Sequence, residues 1–324
     1  MVLGIGLGGA ASETPGDEAA AGVIVPCPGT SDPVPAGLPC GLVCRAALPT
    51  RQPESHIFLV DIQVNDKPAL VVLDTGSDRT ALSPVAATRL GLPPGTLPTE
   101  RSSSPGEVSQ TATTAMQSVT IGHARVGPGR IDLLPPTQGV AGMADSGIDG
   151  VLGNDILSHY QMDLDFRHHL IRLYEGKLCP GPLPGWAAEA IMVPITSRRD
   201  RTGVVVAASL DGVPIAAMLD TGSEGSIAWQ TAAAEFHVKP DELARDKPIS
   251  LLGFFPGTVA RKHRFHTLGF TILGLDAMVV LDPIVAIVPA QTKHYLMIVG
   301  DMVLATRRVW VDYPERQVHF GPPD

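Results

Sequence analysis

The sequence lacks an apolar run long enough to cross a membrane, and acidic residues outnumber basic ones. The longest apolar stretch, Ala277 to Ala290, is interrupted by Asp282, Pro283 and Pro289, whereas a membrane helix needs about 20 apolar residues in succession. We interpret the stretch as buried strands. The chain has 24 Lys and Arg against 33 Asp and Glu, a formal net charge of −9. Because a protein that neutralises phosphates needs a basic face, this charge argues against a nucleic-acid partner.

Sequence motifs of several other hydrolytic chemistries are also missing. There is no HExxH zinc motif, no Gly-x-Ser-x-Gly nucleophile elbow and no Gly-Lys-Ser/Thr of a phosphate-binding loop. The pairs His168-His169 and His263 with His266 have no acidic or Cys ligand at a helpful spacing, so they are interpreted as solvated side chains. The sequence therefore predicts neither a metal site nor an organic cofactor.

Helical periodicity is sparse, whereas the chain contains 34 Gly and 30 Pro. Its apolar stretches are short, rich in Val and Ile, and bounded by Gly, Pro, Asn or Asp. This pattern is typical of a mostly β protein. Trp229 and Trp310 lie near or within apolar strand patterns and are predicted to belong to the core.

The four cysteines lie outside the repeated segments described next. Cys27, Cys40 and Cys44 are near the N-terminus, and Cys179 is in a Pro/Gly-rich connector. An even number at loop positions predicts two disulfides, with three possible pairings; four reduced thiols in a cytosolic protein are the alternative. Residues 1–11 are apolar and small, like the end of a secretory signal, so export to the periplasm or the medium is predicted, with a cytoplasmic location as the alternative.

The pentapeptide Leu-Asp-Thr-Gly-Ser occurs twice, at residues 73–77 and 219–223. Other landmarks recur at nearly the same offset. Val151-Leu152-Gly153 returns as Ile298-Val299-Gly300, and LDFRHHLIRLY, from Leu164, returns as VDYPERQVHF, from Val311. The segments directly before the two copies, VNDKPALVV and LDGVPIAAM, also align without a gap. Four landmarks in the same order indicate an internal duplication.

The duplication predicts the domain organisation. Residues 1–50 are a Cys-containing tail and a possible leader or propeptide, 51–175 the first lobe, 176–190 a Pro/Gly-rich linker, and 191–324 the second lobe. Each lobe contains a helix-compatible stretch, Pro84 to Leu90 in the first and Thr231 to Phe236 in the second.

Each pentapeptide has the residues that a buried carboxylate requires. Asp74 follows the apolar run Ala-Leu-Val-Val-Leu, so a buried strand delivers its carboxyl into a partly desolvated place, where it needs hydrogen-bond donors. A hydroxyl of Thr75, a close backbone N–H of Gly76 and the side chain of Ser77 can supply them. Thr221, Gly222 and Ser223 repeat the set around Asp220. A single Asp-Thr-Gly is more often a turn in which Asp bonds its own backbone, but the duplication argues against that interpretation.

With these motifs the sequence resembles the aspartic peptidases, and the retropepsin type more than the pepsin type. The resemblance rests on the two DTGS segments, on DGVLGNDIL, from Asp149, and LMIVGDMVL, from Leu296, and on the acidic residues Asp78 and Glu224 after each motif. It implies an all-β fold of two retropepsin-like β-barrel lobes related by a pseudo-two-fold axis. It also implies that Asp74 and Asp220 form the catalytic pair, with Thr75 and Thr221 interlocked between the lobes.

The resemblance implies an aspartic endopeptidase of bacterial type that hydrolyses peptide bonds through water. It also implies a peptide or protein as substrate, no cofactor, and an acidic pH optimum. A single chain supplying both halves implies an active monomer. The alternatives are a catalytically silent peptide-binding protein and a site split between lobes of two molecules. Candidate substrate-covering flaps have their tips at Gly106 in the first lobe and at Phe254, Phe255 and Gly257 in the second. One departure is that Asn154 and Asp301 stand where viral retropepsins often have an arginine.

Overall fold

The structure, a computed structural model, describes residues 42–53, 55–93, 95, 97–104, 107–134, 143, 145–176, 189–197, 203–230, 235–250, 259–288 and 297–323, and of residues 97–104, 107–111 and 250 the backbone alone. The first half forms β1 (Val43–Pro49), β2 (Leu59–Val64), β3 (Lys67–Leu73), β4 (Ala81–Leu82), α1 (Pro84–Leu90), β5 (Leu97–Ser104), β6 (Glu107–Met116), β7 (Val119–Ile121), β8 (Ala124–Val126), β9 (Gly129–Leu133), β10 (Gly150–Leu152), α2 (Asn154–Leu157), β11 (Gln161–Asp165) and β12 (Leu170–Glu175). The second half forms β13 (Ile191–Pro194), β14 (Val205–Leu210), β15 (Val213–Leu219), β16 (Ser226–Trp229), α3 (Pro240–Arg245), β17 (Lys247–Ser250), β18 (Val259–Arg264), β19 (Thr267–Ile272), β20 (Leu275–Leu281), β21 (Ile284–Val288), β22 (Met297–Val299), α4 (Asp301–Leu304), β23 (Arg307–Asp312) and β24 (Gln317–Pro323).

Two nine-stranded sheets have the same strand order. The first runs β5-β6-β9-β4-β10-β3-β2-β7-β8 and the second β17-β18-β21-β16-β22-β15-β14-β19-β20. The strands before the DTGS segments, β3 and β15, pair in parallel with β10 and β22 respectively. These partner strands lead into the glycines of Val151-Leu152-Gly153 and Ile298-Val299-Gly300, which we call the apolar-apolar-Gly elements. The predicted all-β fold is confirmed. We call each of the two sheets, with its helices, the first and the second lobe.

Tight hairpins align the strands that lead to both DTGS segments. Asn65 and Asp66 turn β2 into β3 with φ of 50° and 62°, and Asp211 and Gly212 turn β14 into β15 with φ of 49° and 80°. Positive φ at both central residues is the conformation of a two-residue hairpin turn that matches the twist of its strands, and Asn, Asp and Gly tolerate it best. The two turns therefore set equivalent registers in the two lobes.

A six-stranded sheet, of order β1-β12-β11-β23-β24-β13, joins the lobes. At its centre β11 pairs antiparallel with β23, with Met162 opposite Val311, Asp163 opposite Trp310 and Leu164 opposite Val309. The repeat offset of 147 relates Met162 to Val309 and Leu164 to Val311, so it exchanges the first of these pairs with the third. A local two-fold axis therefore passes through the middle pair, Asp163 and Trp310. Strand β1 lies within the segment predicted as a tail, and Cys44 on it is disulfide-bonded.

Several expectations about individual elements are met. Helix α1 spans the predicted stretch because Ser83 caps it, accepting from the N–H of Ala86, and Pro84 occupies its first turn. Trp229 and Trp310 are 0% and 2% exposed, as expected for core residues. No helix among the described residues is long and apolar enough to cross a membrane.

The expectation that the paired histidines are solvated holds only in part. His168 and His266 are exposed as expected, but His263 is half-buried, bonds Asp246 and packs edge-on against Phe265. In the part of the chain that the structure describes, no group of three or more His, Cys, Asp or Glu could hold a metal ion. Residues 177–188 of the linker, most of the stretch Thr231 to Phe236, and Cys27, Cys40 and Cys179 lie outside the described residues.

Candidate active site

Equivalent strands deliver Asp74 and Asp220 to the interface between the lobes. The N–H of Asp74 donates to the carbonyl of Leu152, and the N–H of Asp220 to that of Val299, each over 3.0 Å. The main chain is thus fixed at both positions by the neighbouring parallel strand. Asp74 and Asp220 are 6% and 9% exposed.

The two carboxyl groups lie close enough together for Asp220 to raise the pKa of Asp74. Each also lies against the glycine of the opposite loop: a Cβ at Gly222 would be 2.5 Å from Cγ of Asp74, and one at Gly76 would overlap the carboxyl of Asp220. Only glycine permits this approach. The duplication thus brings the two acids together at the axis that relates the lobes.

Backbone donors surround the carboxyls. Oδ1 of Asp74 accepts from the N–H groups of Gly76 and Ser77, both over 2.9 Å, and Oδ1 of Asp220 accepts from Gly222 over 2.8 Å. The expectation that the threonine and serine hydroxyls bond the carboxylates is wrong. The hydroxyls of Ser77 and Ser223 donate instead to carbonyls two residues ahead, over 2.8 Å each, which tightens the loops.

The two threonines interlock the lobes. The hydroxyl of Thr75 donates to the carbonyl of Leu219 over 2.8 Å and accepts from the N–H of Thr221 over 3.1 Å. Reciprocally, the hydroxyl of Thr221 donates to Leu73 over 2.7 Å and accepts from the N–H of Thr75 over 3.1 Å. Both threonines are 1% exposed. These four bonds hold the strands before the two aspartates in a fixed relative position.

Replacing Thr75 with valine is expected to destabilise the fold, because valine keeps the shape but removes the hydroxyl. The carbonyl of Leu219 and the N–H of Thr221 would lose a partner in a buried place, which costs about 2 kcal/mol or more of unfolding free energy. Denaturant unfolding measures the change. Thr75→Ser, which keeps the hydroxyl, is the matched control, and equal losses in the two variants would contradict the role given to these bonds.

Burial and mutual repulsion separate the proton affinities of the two acids. Burial raises the pKa of Asp74 well above its usual value, and the neighbouring Asp220 raises it further, against the two backbone N–H bonds. Burial raises the pKa of Asp220 too, but hydrogen bonds from Gly222, from Asp74 and from Gly76 oppose that rise. Burial and the like charge of the neighbour therefore favour a state in which the two acids share one proton.

The apolar-apolar-Gly elements support both loops from behind. The N–H of Asn154 donates to the carbonyl of Ser77 over 2.9 Å, and that of Asp301 to Ser223 over 2.8 Å. The side chain of Asn154 also donates to the carbonyl of Thr75 over 2.7 Å and accepts from the hydroxyl of Tyr313, which belongs to the second half of the chain. No sequence signal pointed to this Tyr313 contact.

Comparison with known proteins adds to this geometry. Residues 60–156 match a family model described as aspartyl protease. The match supports a relationship between this segment and an aspartyl protease family. The matched segment runs from β2 into α2 and so contains Asp74, Gly76 and the Gly153 element, while the second DTGS segment lies outside it. No curated protein matches the chain.

The strands that would carry the two flaps are present. β5 and β6 form an antiparallel pair in the first lobe, and β17 and β18 form the equivalent pair in the second. The candidate tip residues Gly106, Phe254, Phe255 and Gly257 lie outside the described residues. Their assignment remains a prediction.

Proposed function

We propose that this protein is an aspartic endopeptidase in which Asp74 and Asp220 together activate a water molecule for attack on a peptide bond. The observation that carries the proposal is the contact of two buried carboxyls, supplied by equivalent loops, with their pKa values pushed apart. Pairs of titratable groups whose surroundings separate their pKa values mark acid and base roles. The aspartyl protease match over residues 60–156 supports the same chemistry.

In the proposed reaction each acid has one role. The Asp220 carboxylate takes a proton from water as the water oxygen bonds to the amide carbon, while Asp74 gives its proton to the carbonyl oxygen. The neutral tetrahedral species then breaks its C–N bond, and Asp220 returns its proton to the leaving nitrogen. Asp74 recovers a proton from the hydroxyl as the new carboxylic acid forms. Protons balance over the cycle, and no covalent enzyme intermediate is needed.

The pH dependence follows from the two raised pKa values. Activity should fall on the acid side as Asp220 becomes protonated. It should fall on the alkaline side once Asp74, the acid that gives its proton to the carbonyl oxygen, has lost that proton. Because burial raises both pKa values, both limbs are expected above 3.8, the usual pKa of an aspartate. The measurement is kcat/KM for a cleaved peptide from pH 3 to pH 9. A rate that keeps rising below pH 3.8 would contradict the raised pKa of Asp220.

The first test is cleavage of a peptide library by the full chain, with products identified by mass spectrometry. Cut sites would establish endopeptidase activity and show which side chains the site prefers. A statine-type inhibitor, whose hydroxyl resembles the tetrahedral species, should compete. If peptides bind but no product forms over this pH range, the alternative of a catalytically silent peptide-binding protein replaces the proposal.

We further propose that one chain builds the whole site. The four Thr75 and Thr221 bonds join the two halves of a single chain, which supports an active monomer. Specific activity should then be independent of enzyme concentration, whereas a site shared between two molecules would lose activity on dilution. The disulfide at Cys44 supports the proposed export, since disulfides persist in oxidising compartments.

A further inference from the structure

The six-stranded sheet has a second face, which points away from the cores of the two lobes. On β11, Met162 and Leu164 belong to the main hydrophobic core, whereas Gln161, Asp163 and Asp165 alternate with them. Because successive side chains of a strand point to opposite faces, these three lie on the other side of the sheet, which we call the outer face. They are nevertheless 0%, 0% and 3% exposed. A polar face this deeply buried requires a cover.

The outer face has ion pairs and a small apolar cluster of its own. Asp163 pairs with Arg172 over 3.3 Å and with Arg308 over 2.7 Å. Asp165 lies 3.4 Å from each of the same two guanidinium groups. The apolar cluster is separate from the main core and has four members: Leu42, Cys44, Tyr174 and Trp310. Because the two acids are balanced by two bases, a segment that covers this face needs no charge of its own.

The described elements that pack most closely on the six strands from outside this sheet do not supply the cover. They are β2, β14, β19 and α4. Each of these elements contributes side chains to the main core, which lies on the inner face of the sheet. The outer face is therefore covered by a part of the chain beyond the described residues.

The linker between the two halves has to cross this sheet. It leaves β12 after Glu175 and enters β13 at Ile191, and the three strands β11, β23 and β24 lie between them. Four strand spacings amount to about 19 Å. Ile191 is also level with Ile171, four residues before Glu175, through the pairs Ile191 with Phe320, Phe320 with Val309, Val309 with Leu164 and Leu164 with Ile171. The crossing is a diagonal of about 23 Å, within reach of residues 176–190. Because the core fills the inner face, the outer face is the open path.

The linker is directed toward the outer face from its first residue. Gly176 has φ of 120°, a conformation that a residue with a side chain rarely adopts, so the chain turns there. The carbonyl of Gly176 accepts from Nε2 of Gln161 over 3.3 Å, and Oε1 of Gln161 accepts from Nε1 of Trp310 over 3.0 Å. The carboxamide of Gln161 thus joins the start of the linker to the apolar cluster of the outer face.

Cys44 lies beside this start. It is opposite Tyr174 across β1 and β12, is 3% exposed and is disulfide-bonded. Opposite residues of an antiparallel pair are about 5 Å apart, and a disulfide joins Cα atoms about 5.5 to 6 Å apart. Cys179 is three positions beyond Gly176, a span of at most about 10 Å, so it can reach Cys44. Cys40 could reach it only if the chain reversed directly before β1.

We propose that residues 177–188 cover the outer face and are attached there by a disulfide between Cys44 and Cys179, which leaves Cys27 to pair with Cys40. Each bond forms when two thiols pass two electrons and two protons to an external disulfide such as oxidised glutathione, which is reduced to two thiols. The disulfide ties β1 to the segment that connects the two lobes. This assignment is independent of the proposed peptidase activity.

The composition of the segment suits this cover. Residues 178–188 have no charged side chain, which fits a face whose charges are already paired. Its three prolines have no N–H group that would be buried without a partner. Leu183 and Trp186 supply apolar surface for contact with the apolar cluster.

Peptide mapping without reduction tests the pairing. The full chain, oxidised with glutathione, is denatured with its free thiols alkylated and is digested with chymotrypsin, which cuts after Leu42 and so separates Cys44 from Cys40. Mass spectrometry should find one linked pair of peptides that contains Cys44 and Cys179. A link from Cys44 to Cys27 or to Cys40 overturns the proposal, and so does alkylation of Cys44.

Thermal unfolding tests the attachment in the folded protein. Cys44→Ser and Cys179→Ser should each lower Tm by about 5 °C or more, because each removes the same long-range disulfide. The double variant should lose no more than either single variant. The variant with both Cys27→Ser and Cys40→Ser is the control and should retain the linked peptides of Cys44 and Cys179. An unchanged Tm in Cys179→Ser overturns the attachment.

Quenching of tryptophan fluorescence by acrylamide tests the cover. In Trp186→Phe, which removes the indole of the linker, the fluorescence comes from Trp229 and Trp310, which are 0% and 2% exposed. Replacing residues 180–187 with glycine and serine should uncover Trp310 and raise the quenching constant above that of Trp186→Phe. The same replacement of residues 22–26, the apolar segment before Cys27, is made in Trp186→Phe as the control and should leave the constant unchanged. An unchanged constant in the linker variant overturns the cover, and a rise in the control variant alone assigns the cover to the N-terminal segment instead.

Discussion

Replacing Asp74 or Asp220 with asparagine is expected to abolish peptide cleavage. An amide can neither take a proton from water nor give one to a carbonyl oxygen, and general acid and base catalysis together supply at least about a 1,000-fold rate increase. Each substitution should therefore lower kcat by that factor or more, measured with the peptide that wild type cuts best. Because removing either acid disables the same cycle, the double variant should be no slower than the single ones.

Stability separates this loss from misfolding. Both acids have raised pKa values, so each destabilises the fold as pH rises above the unfolded value, and asparagine removes that cost. The inactive variants should then have a Tm at pH 7 equal to or above that of wild type. Asp61→Asn, an exposed acid on β2 that pairs with Arg51, is the control and should retain full activity. Measurable cleavage above a tenth of the wild-type rate in either single variant would contradict the catalytic pair.

Local sequence signals predicted the elements that depend on nearby residues. Helix α1 was foreseeable because Pro84 and its flanking Ser83 and Gly91 are short-range start and stop signals. The arrangement of the two aspartates was foreseeable for a different reason: the duplication repeats both the strand before each acid and the glycine after it. An internal repeat carries information about long-range structure that a single motif does not.

Contacts that join distant parts of the chain were not foreseeable. Strand β1 pairs with β12, its partner some 130 positions along the chain, and nothing in its composition distinguishes it from a tail. The hydroxyl of Tyr313 reaches Asn154 across 159 positions. The serine hydroxyls were expected on the carboxylates because their distance in sequence allows it, but the loop turns them to the carbonyls of Arg79 and Gly225.

The burial of Asp301 shows the same limit at the site itself. In the sequence it was noted only as a position that lacks an arginine. Its environment is set by the packing of α4 behind the Asp220 loop and against β16 and β23. Two nearly identical loops can thus have different electrostatics, and the difference lies in residues outside the repeated pentapeptide.

Replacing Gly222 with alanine is expected to lower activity by about 100-fold or more, because a misplacement of about 1 Å at a catalytic group has that effect. The new Cβ would be 2.5 Å from Cγ and 2.7 Å from each oxygen of Asp74, closer than any ordinary contact. Either the Asp74 carboxyl or the loop must move, and both movements break the contact between the two acids. Gly76→Ala should act in the same way on Asp220. The measurement is kcat/KM at the pH optimum, together with binding of the statine-type inhibitor, which should weaken in parallel because it requires both carboxyls in place.

Gly225→Ala is the matched control for this effect. Gly225 lies three residues beyond Gly222 in the same loop, and a Cβ there would have nothing within 4 Å. An added methyl group should therefore leave cleavage within about twofold of wild type, as for a surface substitution away from any buried group. If Gly222→Ala and Gly225→Ala lost activity equally, the loss would come from general stiffening of the loop. If Gly222→Ala retained full activity, the two carboxyls would not be as close as the glycines require, and the shared proton on which the proposed reaction depends would have no structural basis.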